Sequence, residues 1–434
     1  MPRRHQAPLP ATRALWKKYT LPILGRESAL PRLSIFTITI LMCVICYGDR
    51  AALAVALPEI IREFHLTHGE AGLVLSSFLW SYFFLNLPSS ILLDRIGPRR
   101  VGFWAVGIWS AAMIQGAIAW TLPAFILSRI VLGVGESPTF ALGATVMRKW
   151  APPAQSGLAM TAFTSGISIG LGLGALASGY LVSRFGWRPA FILLGVIGFV
   201  WCTSWLAIYP ARSPQPVQQD HAKRRNFSIR PFFASPSFWG VVVAQCCVNY
   251  ANFLMMSWLP VILGQKMHLS LFDASWFTAC CYAGAVIVSL AAGKAGERLL
   301  SGYGLQSGAR RYMVAFCLVM VASVGLLPFL QSVPASMICL IVSMGFVTAG
   351  SGANMALLAD LLVQHESLGA ANGLVLTFSN GVGILAPIMT GYIRQITGSF
   401  QDVFFMVACV LVAGAIAAML LPRRVIAVSN GAES

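Results

Sequence analysis

Phe125-Ile-Leu-Ser-Arg-Ile-Val-Leu-Gly-Val-Gly-Glu-Ser-Pro-Thr-Phe-Ala-Leu-Gly-Ala-Thr-Val-Met147 is long and apolar enough to cross a bilayer, which takes about 20 residues. It nonetheless carries Arg129 and Glu136 in its middle. A charge at bilayer depth costs about 2.5 kcal/mol or more, so it persists only where it faces a protein interior or a watery cavity. The two lie nearly two helical turns apart, on one helix face and roughly 10 Å from each other along the axis. That is too far for a tight mutual pair. Each is therefore expected to find its partner on another helix or on a ligand.

The rest of the chain supports a membrane setting for that stretch. Of 434 residues, 57% are hydrophobic and 10% charged, and the mean hydropathy is +0.75. A soluble domain is typically about 25% charged. The composition predicts an all-α polytopic membrane protein. The formal charge of +16 would point to nucleic acid in a soluble protein. Here no basic face with stacking aromatics lies outside the apolar runs, so positive charge collected in cytoplasmic loops is the expected explanation. All ten cysteines fall inside apolar segments, which leaves no extracytoplasmic disulfide framework. Cys43-Val-Ile-Cys46 has CxxC spacing but lies within the first apolar run, where buried structural thiols are expected.

Apolar runs read against turn signals predict twelve spans. The first six cover about 34–56, 71–93, 101–120, 122–147, 156–183 and 189–209. The next six cover about 237–264, 272–293, 312–331, 334–361, 367–394 and 401–421. The expected organisation is a basic cytoplasmic tail over 1–33, a six-helix half over 34–209 and a cytoplasmic linker over 210–236. A second six-helix half over 237–421 and a cytoplasmic tail over 422–434 complete it. With the first tail inside, 23 of the 30 Lys and Arg fall on the cytoplasmic side and 5 outside, with Arg50 and Arg129 in the spans. That asymmetry predicts both termini in the cytoplasm. No apolar core with a small-residue cleavage site opens the chain, so residues 1–32 are expected to be a cytoplasmic tail rather than a secretory signal.

An internal repeat joins the halves. Phe163-Thr-Ser-Gly166 in the fifth span echoes Phe378-Ser-Asn-Gly381 in the eleventh, and Gly179-Tyr180 echoes Gly391-Tyr392. The loop Asp94-Arg-Ile-Gly-Pro-Arg-Arg100 has a worn counterpart in Glu297-Arg298 followed by Arg310-Arg311. Two parallel halves of this kind imply a site near the midplane between them, reached by rocking of one half against the other.

Twelve spans, the 6+6 repeat and the loop Leu93-Asp-Arg-Ile-Gly-Pro-Arg-Arg100 together resemble the major facilitator superfamily. The loop matches that family's GxxxDRxGRR signature except that Ser90 stands for the first Gly and Pro98 for the first of the closing basic pair. By that resemblance Asp94, Arg95, Gly97 and Arg99 form a conformational gate that locks helix ends. A finer resemblance is to the anion:cation symporter family, which includes sugar-acid and phthalate permeases. It covers about residues 34–421 and rests on Tyr47-Gly-Asp-Arg50, Tyr82, Arg129, Gly135-Glu-Ser-Pro138, Phe185-Gly-Trp-Arg-Pro189, Asn249-Tyr250, Trp258-Leu-Pro260 and Phe378-Ser-Asn380. The resemblance implies that Asp49 and Glu136 take protons and that Arg129 senses the charge of the neighbouring acid. It implies that Arg50 holds the substrate carboxylate, with Tyr47, Tyr82 and Asn380 lining the site. One departure stands out: where the sugar-acid branch often carries a Trp in the tenth span, this chain has Met355, which leaves room for an apolar or aromatic acid.

The residues support a chemistry of their own. Asp49 and Arg50 are sequence neighbours, so on a helix they point about 100° apart and can serve a proton and an anion separately. Arg presents a planar fork of donors that matches a carboxylate, which Lys does not. Burial favours the neutral form of a carboxylic acid and a neighbouring guanidinium the charged form. Asp49 and Glu136 can therefore switch between paired and protonated states as a cavity opens and closes. The competing reading is an internal lattice of ion pairs that only clamps helices together. Gln245, Asn249 and Asn252 form a polar stripe at i, i+4 and i+7, suited either to the anion's remaining oxygens, with Asn249 the substrate-binding candidate, or to helix-to-helix hydrogen bonds. Pro138, Pro260 and Pro387 are expected to bend their helices. All six histidines, His5, His65, His68, His221, His268 and His365, lie in tails or near loops and are poor candidates for a proton relay.

The expected function is proton-coupled uptake of a small organic carboxylate, with no cofactor beyond the proton gradient, no metal and no nucleic acid. The protein is expected to act as a monomer in a bacterial inner membrane. An exporter working by antiport and a sodium-coupled anion transporter remain as alternatives. An exporter of this kind commonly shows a Gly-Pro element in the fifth span, and here Gly170-Leu171 lacks it. An embedded enzyme is disfavoured because the chain has no HExxH and no Ser/His/Asp set at membrane depth. A sensor is disfavoured because the tails and linker are expected to be too short for a signalling domain. Asn226-Phe-Ser228 is a glycosylation sequon on the side predicted to be cytoplasmic.

Overall fold

The computed structural model describes residues 29–152, 155–211, 230–301, 308–362 and 368–426. The predicted tail over 1–28, most of the linker, the sequon at Asn226, and His5, His221 and His365 lie outside them. The helices are α1 (Ala29–Phe64), α2 (His68–Ile96), α3 (Pro98–Ala117), α4 (Leu122–Glu136), α5 (Thr139–Trp150), α6 (Ser156–Phe185) and α7 (Trp187–Ile208). They continue as α8 (Arg230–Ala234), α9 (Pro236–Met267), α10 (Leu271–Ser301), α11 (Ala309–Ala322), α12 (Val333–Leu361), α13 (Leu368–Thr397) and α14 (Gln401–Leu420). Among the described residues, eleven helical stretches, α4 and α5 counted together, are long and apolar enough to cross a bilayer. The twelfth, α3, is 20 residues long and opens on the basic pair Arg99-Arg100. At 1.5 Å per residue it too covers about 30 Å.

Helix ends follow local chemistry. Thr67 and Glu70 form a capping box at the start of α2, and Ser235 and Ser332 cap α9 and α12. Gly97 and Gly186 each form a one-residue joint between two spans at φ +82°, a conformation that a side chain would strain. The sequence predicts one continuous fourth span, but the structure breaks it at Ser137-Pro138. Pro138 has no N–H for the Val134 carbonyl, and Ser137 Oγ donates to that carbonyl instead, at 2.9 Å. Pro260 and Pro387, by contrast, lie inside continuous helices. The predicted ninth span also changes character, passing from α11 into a 3₁₀ turn over Ser323–Phe329.

The packing repeats between the two series of helices. α1 lies on α6 as α9 lies on α13; α3 lies on α7 as α11 lies on α14; α2 lies on α4 as α10 lies on α12. Between the series, α2 meets α13, α10 meets α6, and α1 meets α9. The sequence repeat explains the first two of these contacts. Gly179 sits where a Cβ would overlap Ser275 of α10, and its counterpart Gly391 sits where a Cβ would overlap the His68 carbonyl of α2. Both contacts lie at the end of the bundle away from the α7–α8 connection, here called the far end. Gly69 N donates to Gln395 Oε1 at 3.0 Å in the same region.

Toward the other end, the linker end, the same helices part. Thr161 and Ser165 on α6, Asn252 at the middle of α9 and Thr377 on α13 are exposed polar residues at bilayer depth. Glycines of α6 and α13 nearer the linker end, Gly157, Gly369 and Gly373, stand where a Cβ would meet nothing within 4 Å, in contrast to the tight far-end contacts. Exposed polar residues beside such a gap suit a crevice between the two series that narrows toward the far end. Large apolar side chains on outer faces, such as Trp104, Val200, Leu290 and Phe316, cover the remaining surface, as a lipid solvent requires.

Candidate functional site

Where α1 meets α4 and α2, four charged side chains lie buried together. α1 carries Asp49 and Arg50, and α4 carries Arg129 and ends on Glu136. Close approach of α6 sets the height of the first pair. A Cβ on Gly174 would lie 2.5 Å from Gly48 Cα, and one on Gly170 would lie 2.5 Å from the Val44 carbonyl, so the two backbones touch immediately before Asp49. Gly166 and Gly179 are also tightly placed, so close helix packing accounts for most of the glycines that crowd α6.

Arg50 and Glu136 form an ion pair. Arg50 Nε donates to Glu136 Oε2 at 2.8 Å and Nη2 lies 2.7 Å from the same oxygen. Glu136 is 0% exposed, and its other oxygen, Oε1, has no partner. The Arg50 guanidinium also sits over the rings of Tyr47, Phe78 and Tyr82 at 4.6, 5.0 and 5.0 Å. Tyr47 and Tyr82 are therefore brought to Arg50 as expected, and Phe78 is a third wall that the sequence reading did not include. Its place, four residues before Tyr82 on α2, was a usable helical signal.

Asp49 points away from that pair. It is 1% exposed, and neither carboxyl oxygen has a hydrogen-bond donor. Arg129, also 1% exposed, has no acid within ion-pair distance among the described residues. Its Nε reaches Ser128 Oγ at 3.4 Å, its Nη1 reaches Met113 Sδ at 3.6 Å, and its Nη2 has no partner. Two aromatic faces hold the cation instead, Phe125 at 5.1 Å and Phe191 at 5.0 Å. Arg129 and Glu136 thus do find separate surroundings, Glu136 on another helix and Arg129 in an aromatic cage. Asp49 and Arg129 are both buried and form no ion pair with each other. A plain clamping lattice would pair every charge, and this one leaves an acid and a base unpaired.

Across the crevice, Asn249 Nδ2 donates to Asn380 Oδ1 at 2.9 Å, which brings these two site candidates together between α9 and α13. The rest of the polar stripe divides. Gln245 is buried, donating to Ser351 Oγ at 2.8 Å and accepting from Asn354 Nδ2 at 3.0 Å, so it joins α9 to α12 by hydrogen bonds. Asn252 is exposed. Met355, one residue past the buried Asn354, is half-buried.

The four gate candidates are not gathered into a lock. Asp94 and Arg95 are exposed at the end of α2, and neither forms an ion pair among the described residues. Gly97 makes the joint to α3, and Arg99 Nη2 donates to the Leu206 carbonyl at 2.7 Å. The worn counterpart loop is the one that is ion-paired. Arg310 Nε donates to Asp360 Oδ2 at 2.7 Å and its Nη1 to Glu297 Oε1 at 2.9 Å. Asp360, at the end of α12, has no counterpart in the sequence reading.

A profile of the Major Facilitator Superfamily matches residues 39–306 and 262–434. Among curated relatives, the probable galactarate/D-glucarate transporter GarP of Escherichia coli K12 is 25% identical over 418 residues, covering 87% of this chain and 91% of that protein. The hexuronate transporter of Bacillus subtilis is 25% identical over 416 residues, covering 93% and 97%. Among solved structures, a bacterial homolog of the human lysosomal transporter Spinster, inward-facing and unoccupied, superposes with a TM-score of 0.71 at 16% identity, covering 91% and 96%. That likeness is one of fold.

Proposed function

The chain belongs to the Major Facilitator Superfamily, and on that premise we propose that it takes up a small organic carboxylate together with protons, by alternating access, across a bacterial inner membrane. It is a transporter and not an enzyme. The names of its relatives favour a sugar acid as cargo. Met355, in place of a stacking indole, favours instead an apolar or aromatic acid, and both classes belong in the test. The linker end is the cytoplasmic one, because the excess of Lys and Arg falls there. The described conformation is then open to the cytoplasm.

The observation that carries this reading is the buried ion pair of Arg50 with Glu136 beside two tyrosines. Arg50 holds Glu136 through one carboxylate oxygen, and no other acid reaches it among the described residues. An incoming carboxylate must compete with Glu136 for the same guanidinium. Protonation of Glu136 releases Arg50 to the substrate and keeps the buried charge balanced, so one proton enters with one carboxylate. Asp49 takes a second proton, since a bare carboxylate with no donor at this depth costs several kcal/mol. Arg129 stabilises Asp49 when it is charged. The Asn249–Asn380 pair offers amide groups to the remaining oxygens of the substrate from the opposite wall.

The test uses purified protein in liposomes that hold a pH-sensitive dye, with sugar acids, aromatic acids and short dicarboxylates added outside. One class is expected to acidify the lumen with the wild-type protein and not with Glu136→Gln. Acidification that persists in Glu136→Gln, or uptake that follows sodium and leaves the dye unchanged, refutes the assignment.

A further inference from the structure

Arg129 has no anionic partner to fix it, so its position depends on its walls. Phe125 and Phe191 form one side. Trp187, the first residue of α7, lies edge-on against both, with ring centroids 5.5 and 5.3 Å away. Phe64 closes the cluster 5.8 Å from Phe125. The end of α1 holds Trp187 twice: its indole Nε1 donates to Glu63 Oε2 at 2.7 Å, and its backbone N donates to Glu59 Oε2 at 3.2 Å. A carboxylate on the free N–H of a helix start is well placed for the helix dipole. Arg188 grips the same Glu63 through Nη2 at 2.6 Å and reaches across to the Ala117 carbonyl on α3. The residue before Ala117 is the other wall. A Cβ on Gly116 would lie 2.5 Å from Arg129 Nη2 and 2.8 Å from Ser128 Oγ.

We infer that Trp187 and Arg188 are positioning residues for Arg129, Trp187 holding its aromatic wall and Arg188 its glycine wall, so that this far-end cluster sets how tightly proton and substrate movement are coupled. The inference rests on the proton-coupled reading of the site. Neither residue touches the crevice or Arg50. A cation over two ring faces is held by attraction that does not fix its direction as a hydrogen bond would. The guanidinium can therefore turn toward Asp49 when that acid is charged and fall back when it is neutral, and the placement of the rings sets the balance. The charged groups that face Arg129 are Asp49 from α1 and Glu136 from its own helix; α3 brings Met113 and Gly116, and α7 brings Phe191, none of which titrates. Asp49 and Glu136 are thus the groups through which a displaced Arg129 would be felt.

The experiment compares wild-type protein with Trp187→Phe, which keeps a ring but loses the bond to Glu63, and with Gly116→Ala, which fills the notch. Trp150→Phe is the control, because that indole bonds Tyr209 elsewhere in the same half. D-glucuronate and D-glucarate are the sugar-acid probes and phthalate and benzoate the aromatic ones. Uphill accumulation under an imposed pH gradient and exchange counterflow are measured for each protein, together with the pH profile of uptake. The ratio of accumulation to counterflow is expected to fall about tenfold in Trp187→Phe and Gly116→Ala, as coupling between packed sites allows, with a shifted pH profile, while the control keeps the wild-type ratio. Glu63→Gln, which retains an oxygen acceptor, should lie nearer wild type than Glu63→Ala. Accumulation and counterflow that fall together in Trp187→Phe, or an unchanged ratio, overturn the positioning role. Wild-type protein that exchanges a probe in counterflow but does not accumulate it under a pH gradient, or that carries no probe of either class, overturns the coupling reading first, and this inference with it.

Discussion

Gly72→Ala isolates the closure of the far end. Gly72 lies on α2 against α13, and a Cβ there would sit 2.5 Å from the Pro387 carbonyl oxygen and 3.1 Å from Ile388 Cα. Both are backbone atoms, so no side chain can swing aside. Comfortable contact begins at about 3.5 Å, so α2 and α13 must part by about 1 Å. Overpacking of that kind costs about 1–3 kcal/mol. The higher helix propensity of alanine contributes up to about 1 kcal/mol, but it does so in both conformations and cancels between them. The clash exists only while the far end is shut. At about 2 kcal/mol, the equilibrium should move about 30-fold toward the far-end-open state. Spin labels at Thr121→Cys and Gln401→Cys, exposed far-end positions of the two halves, would report the change as a longer distance population. Gly373→Ala is the control on α13, since a Cβ there meets nothing within 4 Å. A distance distribution in Gly72→Ala identical to that of the control would refute the claim that this backbone contact holds the far end shut.

Two further outcomes are expected. Arg50→Ala leaves Glu136 buried without a partner and should destabilise the protein by about 3–5 kcal/mol, read as a lower melting temperature in detergent, whereas Arg50→Ala combined with Glu136→Gln should recover most of that loss. Equal melting of the single and double variants would show that the pair is not a buried charge pair. Pro138→Ala supplies the missing N–H to the Val134 carbonyl and should mend the break between α4 and α5, leaving stability unchanged or higher by about 1 kcal/mol while slowing uptake. Wild-type uptake in that variant would mean that the break plays no part in the cycle.

Much of this protein was legible as sequence, because a bilayer imposes rules that act locally. Each span is read from its own apolar length, and each loop from its own charge. The internal repeat also carried real geometry, since Gly179 and Gly391 make equivalent contacts between the two series. The fourth span was less legible. Pro138 announced a bend, yet only the Ser137 hydroxyl on Val134 shows that the helix stops and restarts.

Side-chain pairing was the part that local rules could not reach. Sequence placed Asp49, Arg50, Arg129 and Glu136 at bilayer depth, because charges in apolar runs are visible one at a time. Which charge meets which depends on the rotation of α1 against α4, and that is set by backbone contacts such as Gly48 with Gly174 on a third helix. The tertiary structure gave Arg50 to Glu136, left Asp49 and Arg129 without a charged partner, and built the aromatic cage from Phe125 and Phe191, residues that periodicity reads as ordinary core. It also assigned the ion-paired role at the linker end to Glu297, Arg310 and Asp360 rather than to the Asp94 loop. Sequence alone determined that the chain crosses the membrane many times and where its buried charges lie, because desolvation is a property of each residue in its own span. Only the packed fold decided their partners, because an ion pair formed over a few ångströms depends on how separate helices are turned toward each other.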